Sequence, residues 1–147
     1  MNKVEIIQKL TDSNEKEAYE FAKNIIAESA KTDKYVDMIP DFVNMLQNKS
    51  SYTRTRAFIL ICNQAKWANN QIEKVFDQMK PLLNDSKPTV IRQCLKALHE
   101  VALYKPNMCN TIKDAISKIN LGNYKDSMSP LIKKDIDELM KTISNNQ

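Results

Sequence analysis

The sequence predicts an all-α chain of about eight helices in a single domain. Three observations carry that expectation. Apolar residues recur every three or four positions along most of the chain, the spacing of one helix face. Gly122 is the single glycine among 147 residues, whereas sheets with tight hairpins need glycine for their positive-φ turns. No segment alternates apolar and polar residues as a half-buried strand does. A chain of 147 residues fits one domain and can bury roughly two-thirds of its unfolded surface without disulfide or metal.

The elements follow in order. Val4, Ile7 and Leu10 mark a short first helix. Residues Thr11 to Asn14 supply N-cap side chains, followed by Glu15 and Glu17 in a first turn. Tyr19, Ala22, Ile25, Ile26 and Ser29 form one face of the second helix. Thr32 and Asp33 can cap a third, through Val36, Ile39, Val43 and Leu46, which Pro40 should bend or break at Ile39. After a turn at Asn48 to Ser51, a fourth helix runs from about Tyr52 to Trp67 and closes at Asn69 and Asn70. The fifth carries Ile72, Val75, Phe76, Met79, Leu82 and Leu83. Pro88 suits the first turn of the sixth, which uses Val90, Cys94, Leu95, Ala97, Leu98, Val101 and Ala102 and ends at Lys105 and Pro106. A seventh helix carries Ile112, Ala115, Ile116 and Ile119 and breaks at Leu121 to Asn123. The eighth starts near Ser127 to Pro130 and runs through Leu131, Ile132, Ile136, Leu139 and Met140, leaving Ser144 to Gln147 as a fraying tail. Such short connections make successive helices antiparallel neighbours.

The fourth and sixth helices match at an offset of 36: Tyr52 with Pro88, Arg56 with Arg92, Phe58 with Cys94, Ile59 with Leu95, Cys62 with Leu98. Each follows a helix ending in Leu and a turn containing Asn. The stretch from Leu82 to Leu98, with its Leu pair, Asn84 and Asp85, Pro88, and Ile91 beside Arg92, resembles the turn and second helix of a HEAT repeat. Pro40, Leu46, Asn48 and Arg54 look like a second copy, with Pro40 where such first helices bend. Asn48 stands in place of the family's usual Asp, and Arg54 and Arg56 compete as the repeat Arg, so an offset of 38 rivals 36. The resemblance spans residues 38–103. It implies a short right-handed, armadillo-like α-α solenoid. Residues 1–33 would form N-terminal cap helices, 34–104 the two clearest repeats, and 105–143 a degenerate third. A helix hairpin cannot bury its apolar face alone, while stacked hairpins share a core. The apolar run from Ala57 to Cys62 should therefore pack on two sides.

Charge and composition narrow the function classes. Scarce glycine removes most phosphate-cradling loops. The N-terminal residues lack the apolar stretch of a secretory signal, and no run approaches a membrane span. Cys62, Cys94 and Cys109 are odd in number and have no paired spacing, which fits a reduced, cytoplasmic protein. The net charge of +4 is uneven: residues 49–113 hold 11 Lys or Arg against 4 Asp or Glu, whereas residues 1–48 hold 6 against 9.

Chemistry has little to work with. His99 is the one histidine, and it falls in line with Arg92 and Lys96 on the polar side of its helix, as a surface contact or an ordinary solvated side chain. One His and scattered Cys make no metal site and call for no cofactor. Cys62 and Cys94 align with apolar residues and read as core. Asp135, Asp137 and Glu138 beside Lys133, Lys134 and Lys141 read as a salt-bridged outer face rather than a catalytic pair. Trp67 is either a hot-spot anchor or a residue packed between repeats. The resemblance implies a structural repeat Arg, which gives Arg92 a bridge to Asp85.

The resulting expectation is a non-enzymatic protein-interaction scaffold with a basic groove formed by the second helix of each repeat. Arg56, Asn63, Trp67, Arg92, Lys96 and His99 are its candidate contacts, facing an acidic protein or peptide. Nucleic-acid binding is the alternative, as a shortened relative of the HEAT-like alkylpurine DNA glycosylases. The basic middle segment favours it, while the few aromatics and the spread of the basic residues over several helix faces oppose it.

Overall fold

The computed structural model describes residues 1–146. Eight α-helices span Lys3–Leu10 (α1), Glu15–Ser29 (α2), Ile39–Met45 (α3), Ser51–Cys62 (α4), Gln71–Met79 (α5), Pro88–Tyr104 (α6), Cys109–Ser117 (α7) and Ser129–Asn146 (α8). No strand occurs among the described residues. The fold is an α-α solenoid of stacked helix pairs. The second helices form one layer, α2 on α4, α4 on α6 and α6 on α8, and the first helices α3 and α5 pack beside each other on the other side. The second helices run parallel. Contacts pair Glu15 with Arg56 and Ser29 with Gln64 across α2 and α4, and Arg92 with Asp135 and His99 with Thr142 across α6 and α8.

Local chemistry sets the ends. The side chains of Asn2, Asn14 and Ser50 accept from the backbone N–H of Glu5, Glu17 and Thr53, capping α1, α2 and α4, each cap contributing about 1 kcal/mol. Pro40 does not bend a helix but begins one: a 3₁₀ turn at Val36–Met38 hands over to α3 at Ile39, because proline costs nothing in a first turn. Pro81 acts the other way. It has no N–H to return to the carbonyl of Asp77, so α5 stops at Met79 and Leu82 and Leu83 follow in a 3₁₀ turn, Lys80–Asn84. The fourth helix ends at Cys62 rather than Trp67. Beyond it the backbone tightens to three-residue bonds, Gln64 to Ile61, Ala65 to Cys62 and Trp67 to Gln64. The tail expected to fray is instead helical through Asn146, whose side-chain amide donates to the Thr142 carbonyl; Gln147 lies outside the described residues.

One turn recurs in all four helix pairs. Asp12, Asn48, Asp85 and Asn120 each accept the backbone N–H two residues on, from Asn14, Ser50, Lys87 and Gly122. This Asx turn reverses the chain without a positive φ, and no described residue has one. That is how the chain makes four such turns with Gly122 as its single glycine.

The core runs unbroken from Leu10 to Ile143. In α4, Ala57, Phe58, Leu60, Ile61 and Cys62 are fully buried, since α2, α3 and α6 all pack on it. Tyr19 is not on the buried face of α2. That face is Ala18, Ala22, Ile25 and Ser29, and Tyr19 turns outward.

Candidate interaction surface

The arginines of the basic segment tie neighbouring repeats together. Arg54 donates to both carboxylate oxygens of Asp85, at 3.1 and 3.2 Å, and to the carbonyls of Asn48 and Lys49 in its own turn, at 3.0 Å each. Asp85 is therefore bridged by Arg54 and not by Arg92. Arg92 instead meets Asp135 on α8 at 2.7 Å. Asp135 is buried beneath that contact rather than lying on a solvated outer face, and the hydrogen bond to its carboxylate raises the pKa of the Arg92 guanidinium. The outer face of α8 keeps a pair between Lys133 and Asp137 at 2.9 Å. Arg56, only 7% exposed, pairs with Glu15 at the start of α2 and donates to the Leu10 carbonyl. Burial lowers the pKa of its guanidinium from the ordinary arginine value.

The other candidates spread over two seams. Trp67 is half-buried; its indole N–H donates to the Ser29 carbonyl at 2.6 Å, and the Lys66 ammonium lies 5.0 Å from its ring centroid. Asn63 closes α4, its amide donating to the Ile59 carbonyl at 2.7 Å. His99 Nδ1 lies 2.8 Å from Thr142 Oγ1 on α8. Lys96 is exposed. These six residues do not converge on one groove: Arg56, Asn63 and Trp67 belong to the α2/α4 side of the layer, and Arg92 and His99 to the α6/α8 seam.

A groove of about 510 Å³ does cross the second-helix layer, over the N-terminal halves of α2, α4 and α6. Of the candidate contacts, Arg56 lines it. Tyr19, Tyr52, Thr55, Ile59 and Gln93, which also line it, were not anticipated. An aromatic on the polar side of a helix pattern was the available signal, and Tyr52 shows it: 68% exposed in the first turn of α4, beside the buried Thr53. Continuing the same faces by one helical turn leads to Asn63 on α4 and Lys96 on α6.

Cys62, Cys94 and Cys109 are fully buried free thiols. Burial raises the pKa of each, and the Glu100 charge adds to the effect at Cys62. Among the described residues, no three His, Cys, Asp or Glu side chains gather as a metal site, and no helix is long and apolar enough to cross a membrane.

A sequence model of the family described as Cnd1, non-SMC mitotic condensation complex subunit 1, matches residues 29–146. The chain belongs to this family. It is a HEAT-repeat family, in agreement with the repeat read from Leu82 to Leu98 and with the solenoid. A HEAT domain of this family is a scaffold for protein interactions rather than a catalytic unit. The fold also resembles the crystal structure of an engineered protein from the Northeast Structural Genomics Consortium, with a TM-score of 0.59 and 19% identity over 99% of this chain and 68% of that one. At that identity the likeness concerns the fold alone. No curated protein matches the chain.

Proposed function

We propose that this chain is a non-catalytic scaffold that holds an acidic protein partner along the free faces of its second helices, as one subunit of a multiprotein assembly. The observation that carries this reading is the parallel alignment of α2, α4, α6 and α8 in one layer, the arrangement by which solenoids build extended binding surfaces. Membership in a family described by its place in the mitotic condensation complex supports an assembly of that kind. The basic character of the face comes from lysines. Lys96 and Lys16 are exposed, and Lys87 donates to Ser51 Oγ at the groove edge. Arg56 and Arg92 serve the layer beneath, each engaged by a carboxylate.

The test is affinity purification of the tagged chain from mitotic cells, with Lys96→Glu as the variant. Stoichiometric protein subunits should co-purify with the wild type. Lys96→Glu should weaken their retention at low salt while leaving the melting temperature unchanged. Retention indifferent to Lys96→Glu, or a chain that purifies alone, refutes the reading. Location follows the partner: signal on condensed chromosomes fits the family's complex, and a diffuse cytoplasmic signal through mitosis does not.

A further inference from the structure

We infer that the groove over the N-terminal halves of α2, α4 and α6 takes a short acidic peptide segment anchored by one aromatic or branched apolar side chain. The inference rests on the scaffold reading above and names the place and the chemistry of one contact within it.

The groove has the parts such a ligand needs. Tyr19 and Tyr52 stand 55% and 68% exposed on adjacent second helices, and both line the groove. Among the described residues neither hydroxyl donates or accepts a hydrogen bond, and the Tyr52 ring stands in water without a packing partner that buries it. Tyrosine is enriched at interfaces because its ring supplies apolar contact while its hydroxyl remains wet. Ile59 on α4 and Val90 on α6 add apolar surface to the lining. Ser51, Thr55, Thr89 and Gln93 supply hydroxyls and an amide suited to an extended backbone. A groove of about 510 Å³ has room for a few side chains, not for a folded domain.

Charge selects the ligand. Glu15 is the one carboxylate lining the groove, and Arg56 already engages it. Lys16 is exposed and lines the same wall; the cavity on its other side also holds Asp12, Glu17 and Glu20. The Lys87 ammonium sits at the edge and donates to Ser51 Oγ at 3.3 Å, and the Lys23 ammonium lies 5.4 Å from the centroid of the Tyr19 ring. The three parallel helices also turn their N-terminal, partly positive ends toward this side: Glu15 and Lys16 lie in the first turn of α2, Ser51 and Tyr52 in that of α4, and Thr89 and Val90 in that of α6. The groove is thus apolar in part of its lining and unbalanced toward positive charge at its edge. That combination complements an apolar anchor flanked by Asp or Glu. A nucleic acid fits less well, because a phosphate backbone needs a continuous cationic track, which this partly apolar groove lacks.

The test is selection of peptides from a random phage library on the full chain, followed by fluorescence anisotropy of the enriched sequences. The peptides should combine Asp or Glu with Phe, Trp, Tyr or Leu. Tyr52→Ala and Lys16→Glu, both at exposed positions, should each weaken binding by about tenfold or more with the melting temperature unchanged. The Lys16→Glu effect should shrink as salt rises. Enriched peptides that are neutral or basic, or that ignore both substitutions, overturn the inference. Peptides that respond to Lys96→Glu alone also overturn it, but leave the second-helix scaffold standing. A labelled single-stranded oligonucleotide that binds in a Tyr52-dependent way and displaces the peptide replaces the acidic peptide with nucleic acid. Failure of the scaffold reading shows separately, as a chain that purifies alone yet still binds the selected peptide.

Discussion

Replacing Asp85 with alanine breaks the contact that joins the turn of one helix pair to the second helix of the pair before it. The Asp85 carboxylate accepts from Arg54 Nε at 3.1 Å and Nη2 at 3.2 Å, and from the Lys87 backbone N–H at 3.0 Å. The Arg54 and Asp85 side chains are 18% and 9% exposed. The pair therefore stands between an exposed ion pair, worth roughly 0–1 kcal/mol, and a fully buried one, whose disruption costs roughly 3–5 kcal/mol. Loss of the turn hydrogen bond adds about 1 kcal/mol. We expect Asp85→Ala to cost about 2–4 kcal/mol, a fall of about 5–12 °C in melting temperature for a domain of this size. Asp85→Asn keeps an acceptor for Lys87 and should lose about half as much. A double-mutant cycle with Arg54→Ala should show a coupling of about 1–2 kcal/mol. Denaturant titration followed by far-UV circular dichroism measures the loss, and the fluorescence of Trp67, the single tryptophan, reports the α2/α4 seam in the same experiment. A change within about 0.5 kcal/mol of wild type, or a cycle with no coupling, would refute the claim that this bridge holds the repeats together.

Other expectations follow from the buried polar groups. Gln64 is fully buried, donates to Ser29 Oγ at 3.0 Å and leaves its own Oε1 without a partner. Ser29→Ala alone should therefore cost about 1 kcal/mol, whereas Ser29→Ala with Gln64→Met should match or exceed wild-type stability; a double variant weaker than Ser29→Ala would contradict this. Hydrogen bonds from Lys34 and then Tyr35 hold the Glu28 carboxyl below its ordinary value. Its contribution is full above the unfolded value and is lost as pH falls through the folded one, so Glu28→Gln should flatten the acid limb of the stability–pH curve. Parallel curves for the two proteins would show that the contact carries no stability. The three free thiols, all fully buried, should resist Ellman's reagent in the native protein and react together in denaturant; prompt labelling of any one would place that thiol at the surface.

Much of the fold was legible because it rests on period and punctuation. Apolar spacing marks the helices and Pro88 marks a start, whereas Pro40, expected to bend the third helix or break it at Ile39, stands in its first turn. The Leu82 to Leu98 stretch carries enough of the HEAT pattern to expose the repeat. The rest depended on rotation about helix axes, which residue types do not reveal. Arg54 and Arg56 looked like rivals for one role. Residues two positions apart on an α-helix point roughly 200° from each other, so the two arginines serve opposite neighbours: Arg54 reaches forward to Asp85 and Arg56 back to Glu15. The two candidate periods share that origin, for Ser51 and Pro88, which open α4 and α6, lie 37 residues apart, between 36 and 38. Tyr19 was placed inward by a phase error of one residue, since Ala18 sets the buried face of α2. The turns at Asp12 and Asn120 carried the same Asx signal as Asn48 and Asp85; Leu10 precedes Asp12 as Leu46 precedes Asn48, whereas Asn120 follows Ile119.

The uneven charge along the chain acquires a different meaning once the repeats are stacked. The excess of Lys and Arg in residues 49–113 suggested a face offered to a partner. Stacking sets that segment between an acidic start and the carboxylates of α8, and its three arginines meet carboxylates at the seams between elements. Arg56 takes Glu15 from one side, Arg92 takes Asp135 from the other, and Arg54 takes Asp85 within the segment. Lys66 and Lys105 reach the carbonyls of Ala30 and Asn69, each donating to the chain where the preceding second helix has ended, a placement favourable to cations. Charge summed along a sequence is therefore not surface potential, and in a solenoid it can be the complementarity of one repeat for the next. The practical consequence is that reversing Arg56 or Arg92 perturbs folding before it can report on binding. Lys16, Lys96 and Tyr52, exposed and outside those bridges, separate the two effects.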